Sequence, residues 1–321
     1  MANINLGKIT HLKNLLKESL SGSLAPGQKA ALLDFPNHFN VGDNMIWLGE
    51  IRLLSELGVD LAARADYRTY NPDVIKDKIG SRGVVLIHGG GNFGDLWPKH
   101  EMFRRKIFKD FEGYKLIQLP QTVDYSSEAS LAEAAEFYSK YKDGFTMMVR
   151  GQVSMEIARN ALGLKDVQLV PDMAFALGDL SAACRSKKEN VVLSRTDHEA
   201  AEELRCDPSE ADTRAVDWID FNPGKWERLN WFLIKAYLNR PKRLLFCARL
   251  AESLFDRTAG ERVAHGISLL SNARKLTTNR LHGCILAFLM GIPVEYGDTK
   301  MGKLSRYIGT WLNDAETIKP A

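Results

Sequence analysis

VVLIHGGG, Val84 to Gly91, is the clearest buried strand in the chain, and it runs straight into three consecutive glycines. NFGDLWP follows, then a helical pattern from about Lys99, so the piece reads as strand, glycine turn, helix. Glycines at a strand exit let the backbone come close to a ligand because no Cβ stands in the way. The spacing is not GxGxxG and no P-loop lysine is present, so neither a nicotinamide nor an ATP site follows from it. A tight turn into a packed helix is the other reading of the same residues.

The alternation continues on both sides. AALLDF, Ala30 to Phe35, is a short buried strand, and PNHFNVGD leads from it into a helix carrying Met45 to Leu57. KLIQLPQT, FTMMVR and VQLVPDMAF are further strands, each but the last followed by a helical segment. Regular alternation predicts a parallel sheet with right-handed crossovers and ligand groups at the strands' C-terminal ends. Asp43, the glycines Gly90 and Gly91 with Asn92, Gln121, Arg150 and Asp172 fall at such ends, which points to a site.

Residues 178–190 form a polar, aperiodic linker that divides a first domain, 1–177, from a second, 191–321. In the second, NVVLSRTD is a strand with Arg195 at its exit. AVDWID reads as another strand. PKRLLFCARLAESLFDR is read as helical with Pro241 in a first turn, and a separate helical piece is expected before the next strand. TTNRLHGCILAFLMGIP, Thr277 to Pro293, then gives a strand, a polar turn holding Arg280 and His282, and an apolar helix ending at Gly291 and Pro293. Unpaired N–H groups and the helix dipole favour an anion at that turn. Arg280 adds a guanidinium and His282 a proton mobile near neutral pH. A capped core histidine and a surface-paired arginine are the alternative.

The chain has 321 residues, 45% hydrophobic and 26% charged, which fits an ordinary globular protein with two cores. A formal charge of +3 gives no ground for a nucleic-acid partner. The four cysteines show no CxxC spacing, so no metal cluster or disulfide framework is expected, and a reducing compartment is. No apolar run is long enough to span a bilayer, and the N-terminus lacks a signal-peptide pattern. A cytoplasmic protein, with peripheral contact to the inner face of the plasma membrane, is the expectation. Ile4, Ile9, Leu12, Leu15, Leu16 and Leu20 put an amphipathic helix first, packed on the body or on a membrane. Residues 225–257 hold eight Lys or Arg against Glu227, Glu252 and Asp256, interleaved with aromatics. Such a hairpin suits an anionic membrane surface, or is an ordinary packed pair with a basic rim.

Taken in order, NVGDN, HGGGNFGD, QLPQT, VRGQVS, VPDMAF, SRTD and NRLHG resemble the polysaccharide pyruvyl transferase family, from about Asn40 to Trp311. The resemblance implies an α/β fold of two Rossmann-like domains facing a cleft, as in GT-B glycosyltransferases. It implies transfer of the enolpyruvyl unit of phosphoenolpyruvate to two hydroxyls of a sugar in an exopolysaccharide or envelope glycan, giving a cyclic ketal and phosphate. A lipid-linked oligosaccharide is one acceptor class, and no cofactor is expected. Arg280 matches the family's RLHG arginine and would bind the donor, with Arg150 and Arg195 completing a clamp. His282 is the candidate acid. Asp172, and after it Asp95 or Asp43, could take the hydroxyl proton or orient the sugar, although Asp43 and Asp95 could equally cap helices. A nucleotide-sugar glycosyltransferase and a non-catalytic glycan-binding relative are the competing readings.

Overall fold

The computed structural model describes residues 3–185, 188–194, 212–218, 221–298 and 302–321. Arg195 lies outside them. The first part of the chain runs α1 (Leu6–Ser21), β1 (Lys29–Leu33), α2 (Val41–Glu56), β2 (Asp60–Ala65), α3 (Pro72–Ile79), β3 (Val84–Ile87), β4 (Gly90–Gly94), α4 (Pro98–Asp110) and β5 (Lys115–Asp124). It continues with α5 (Glu128–Tyr138), β6 (Phe145–Val149), α6 (Gln152–Glu156), β7 (Asp166–Leu169) and a 3-10 turn at Met173–Leu177. The second part comprises β8 (Glu189–Leu193), β9 (Thr213–Val216), α7 (Lys225–Asn239), α8 (Leu245–Leu270), β10 (Ala273–Thr278), α9 (Leu281–Leu289), β11 (Val294–Tyr296), α10 (Lys303–Trp311) and β12 (Ile318–Pro320).

Among the described residues the strands form two sheets, and every pairing is parallel. The first has the order β2-β1-β3-β5-β6-β7 with β4 also on β5, and the second β12-β11-β10-β8-β9. Strand order reverses between β1 and β3, the place where open α/β sheets leave a crevice at the strands' C-terminal ends.

Local chemistry accounts for the helix starts. Asn40 caps α2 by accepting from the Gly42 N–H at 3.0 Å. Asn71 caps α3 with Pro72 in its first turn, and Ser127 caps α5. Gly291, at φ 68°, ends α9 in the left-handed conformation a side chain would disfavour.

One apolar core is continuous from α1 and α2 through Met173–Leu177 to α8, α9 and the second sheet, while another fills the far face of the first sheet. Ile9, Leu12, Leu16 and Leu20 are buried in the shared core, so the partner of α1 is the body. The Nδ2 groups of Asn3 and Asn5 donate to the Leu289 and Phe288 carbonyls, tying the N-terminus to the end of α9.

Four details differ from the sequence reading. The helix after the triple glycine begins at Pro98, beside the expected Lys99, but the glycines do not simply turn, since Gly90–Gly94 pairs with β5 as a strand. Pro241 sits between α7 and α8, outside either first turn. The separate helical piece is the continuation of α8, one helix of 26 residues. His282 lies inside the first turn of α9, where Arg280 is the N-cap residue.

Candidate functional site

A cavity of about 790 Å³ lies between the two sheets. Its wall on the first sheet includes Asp34, His38, Asp43, His88, Gly91, Asn92, His100 and Arg150, and its opposite wall Trp218, Arg280 and His282 with Lys303, Arg306 and Tyr307 of α10. Asp43, Gly91, Asn92, Arg150, Arg280 and His282, all marked from sequence, therefore meet on one cavity.

Asp172 joins the two walls. Its Oδ2 accepts from Arg150 Nη1 at 2.5 Å and lies 3.3 Å from His282 Nε2, while Oδ1 accepts from the Ala174 N–H at 2.9 Å. Its own N–H donates to the Tyr307 hydroxyl. The carboxyl is fully buried, and burial alone would raise its pKa. The His282 imidazole and the Arg150 guanidinium outweigh burial and hold it far below the ordinary carboxylate range. Such a group stays ionised and fixes its neighbours. Arg150 is further held by Nε donating to Thr122 Oγ1 and by its carbonyl accepting from Trp311 Nε1.

His282 is seated against α2. A Cβ placed on Gly42 would fall 2.3 Å from His282 Nδ1, so only glycine leaves room for the ring there. Arg280 donates through Nη2 to Asp217 Oδ1 at 2.9 Å and through Nε to the Ser194 carbonyl at 3.3 Å. Arg280, the N-cap residue of α9, makes no side-chain cap, and the first N–H groups of the helix add to the positive potential beside the cavity.

Three other sequence candidates, Gln121, Gly90 and Asp95, stand outside the cavity lining. Gln121 is fully buried, accepting from the Asn92 N–H and donating to Asn92 Oδ1 and the His88 carbonyl. It shapes the glycine strand from behind. Gly90, at φ 127°, supplies that strand's bend. Asp95 accepts from the Ser126 N–H and hydroxyl at an exposed corner. Asp43 accepts from Asn40 Nδ2 and lies 3.6 Å from His38 Nε2.

Three histidine–carboxylate pairs escaped the sequence reading. Besides His38 and Asp43, His88 Nδ1 meets Glu50 Oε2 at 2.8 Å and His100 Nδ1 meets Asp34 Oδ2 at 3.0 Å. Burial would lower the His88 pKa, but the adjoining Glu50 carboxylate raises it above the ordinary value. Asp34 and His88 follow β1 and β3 directly, at the point where strand order reverses. Asp34 has φ 72°, uncommon for a residue with a side chain. A polar residue at each strand exit was the available signal; the partner, 38 or 66 positions away, was not.

The arrangement presents several fixed cations, a positioned imidazole and hydrogen-bonding carboxylates around one space, which suits a small multiply charged anion beside a hydroxylated molecule. A family model described as polysaccharide pyruvyl transferase matches residues 40–294. Pyruvyl transferase 1 of Schizosaccharomyces pombe is 31% identical over 315 residues, covering 95% of this chain and 75% of its own. EpsO of Bacillus subtilis (strain 168) is 30% identical over 311 residues, 95% of this chain and 92% of its own. The crystal structure of an uncharacterized protein from Klebsiella pneumoniae subsp. pneumoniae NTUH-K2044 is similar with a TM-score of 0.59 at 17% identity, covering 100% of both chains, a likeness of fold.

Proposed function

The chain belongs to the polysaccharide pyruvyl transferase family, and on that premise we propose that its donor is phosphoenolpyruvate and its product a cyclic pyruvate ketal on a sugar. In this reading the two sheets with their helices are two Rossmann-like domains, 1–177 and 191–321, facing the cavity in a GT-B-like arrangement. The donor is a cytoplasmic metabolite, so the reaction belongs on that side of the membrane.

The observation that carries the proposal is the convergence of Arg150 and His282 on Asp172. It joins a guanidinium from the first sheet to the imidazole of the α9 turn. Phosphoenolpyruvate carries a carboxylate and a phosphate close together and needs this kind of fixed positive field. Arg150 and Arg280 bind the donor, Arg280 at the start of α9, with Arg306 adding charge on the same wall and Lys303 beside it paired with Asp124 at 3.3 Å.

His282 delivers a proton to the methylene carbon, which becomes a methyl group, and the adjoining carbon becomes open to attack. One sugar hydroxyl adds to that carbon, the C–O bond to phosphate breaks, and the second hydroxyl closes the ketal. Of the two hydroxyl protons, one restores His282 and the other leaves on phosphate. Asp172 acts by orienting His282, since a buried carboxylate held ionised by its neighbours is a weak base. The acceptor sugar lies along the first-sheet wall, where Asp43, Asn92 and the histidine pairs offer hydrogen bonds.

The test is phosphate release from phosphoenolpyruvate by wild type, His282→Ala and Arg280→Ala across free, glycoside and lipid-linked hexoses. Acceptor-dependent release by wild type, lost in His282→Ala while donor binding persists, is expected. Arg280→Ala weakens the donor itself, with ~2.7–4 kcal/mol lost from the transition state if the contact strengthens during reaction. Silence on every acceptor, with release of a nucleotide from an activated sugar, would replace the donor assignment.

A further inference from the structure

The outer face of the α7–α8 hairpin carries an unusual combination of side chains. Trp231, Phe232 and Phe246 are 60%, 64% and 61% exposed, and Leu238 and Leu250 stand out beside them. Lys235, Arg240, Lys242, Arg243 and Arg249 are exposed among these apolar groups, and Lys235 lies over the Trp231 ring.

No acid of residues 225–257 balances that charge at the surface. Glu227 is buried and bound by Arg262. Asp256 is half-buried, accepting from Trp47 Nε1 and pairing with Arg64. Glu252 is half-buried as well. With Glu227 buried, Glu252 half-buried and Asp256, its side chain 34% exposed, already paired with Arg64, the exposed face is predominantly basic as well as apolar. Amphipathic packing explains the inner faces of both helices, but it gives no reason to leave three aromatic rings in water.

We propose that this face docks the protein on an anionic phospholipid surface, the basic residues at headgroup level and Trp231, Phe232 and Phe246 inserted between headgroups. The charge complements such a surface, and Trp and Phe amid Lys and Arg is the composition that interfacial helices use. A second copy of this chain is the wrong occupant, because two faces of the same sign would oppose one another. The hairpin also reaches the cavity rim: Arg262 of α8 donates to the Pro36 carbonyl and to Asn37 Oδ1, and Asn37 donates to Asn230 of α7. A protein held by this face would keep the cavity near the bilayer, where a lipid-linked sugar is presented. The docking does not rest on pyruvyl transfer.

Flotation of the full chain with vesicles of phosphatidylcholine alone, or of equimolar phosphatidylcholine and phosphatidylglycerol, tests it without reference to activity. Wild type floats with the anionic vesicles only, and less as salt rises. Arg240→Ala/Lys242→Ala/Arg243→Ala lowers partitioning about 100-fold, from about 1 kcal/mol per cation. Trp231→Ser/Phe232→Ser weakens it while leaving the salt dependence. These side chains are exposed, so melting temperature and turnover on a water-soluble acceptor stay unchanged. Equal flotation with neutral vesicles, no flotation with either kind, or undiminished binding by the charge variant overturns the proposal. Capture of polyglutamate by a wild type that ignores both vesicles also overturns it and assigns the face to an acidic protein.

Discussion

At Gly42, one missing carbon decides where an imidazole can sit. In Gly42→Ala the new Cβ would lie 2.3 Å from Nδ1 and 2.5 Å from Cγ of His282, so the ring must move. Alanine favours the helix by about 1 kcal/mol, which offsets part of the cost of displacing the ring, so thermal stability should change less than turnover. Turnover should fall roughly 100-fold, as expected for a reacting group displaced by about 1 Å, and a kcat near wild type would separate the ring's position from catalysis. Asp172 gives a pH prediction. Its folded pKa lies below the ordinary 3.8, so as pH falls the unfolded chain takes up the proton first. Its contribution to stability is therefore complete above that ordinary value and is lost below it. Asp172→Asn should flatten the acid limb of denaturation midpoint against pH, and an unchanged limb would show that other carboxylates govern it.

Among the elements, α8 depends on Arg262 for its attachment to the first sheet's loops. The guanidinium is buried, donates to both carboxylate oxygens of Glu227, and reaches Pro36, Asn37 and Asn44. Arg262→Ala strands the Glu227 carboxylate in the interior and should cost ~3–5 kcal/mol in urea denaturation, whereas Arg262→Met with Glu227→Leu should cost less, because no charge is left unpaired. Equal losses in the two variants would mean that packing, not charge, dominates there. Helix starts have local causes at this scale, since Asn40, Asn71 and Ser127 cap within their own segments, but the capping candidates read from sequence were Asp43 and Asp95, and Asn40 and Trp97 hold those N-cap positions instead; apolar spacing fixes the buried face of α1. The length of α8 was not legible, because Gly260 and Gly266 read locally as breaks in a helical pattern, whereas packing carries the helix through both. Strand β4 was also missed, since its glycines lack strand propensity and it owes its state to pairing with β5.

For the whole molecule, the apolar core that joins α2, Met173–Leu177, α8 and α9 links the two sheets. Few contacts would have to break if the sheets unfolded apart only where such a core were divided. Calorimetry should therefore give one unfolding transition with equal calorimetric and van't Hoff enthalpies, and two resolved transitions would refute this coupling. The same union places the cavity: Arg150 and His282 come from different sheets and reach each other only because the core sets the distance between them.

The sequence by itself determined the alternation of strand and helix, the parallel sheets that follow from it, the family, and the polar residues at the strand exits. These depend on periodicity, capping and motif order, all of which act over a few neighbouring residues. The tertiary structure alone decided that Asp172 serves Arg150 and His282 together, that Gln121 and Asp95 work away from the cavity, and that His88 and His100 acquire carboxylate partners. It also decided that the acids of the α7–α8 hairpin are wholly or partly buried. Each of these depends on a side chain meeting another many positions distant, and that meeting is fixed by how the sheets and helices pack rather than by any local pattern.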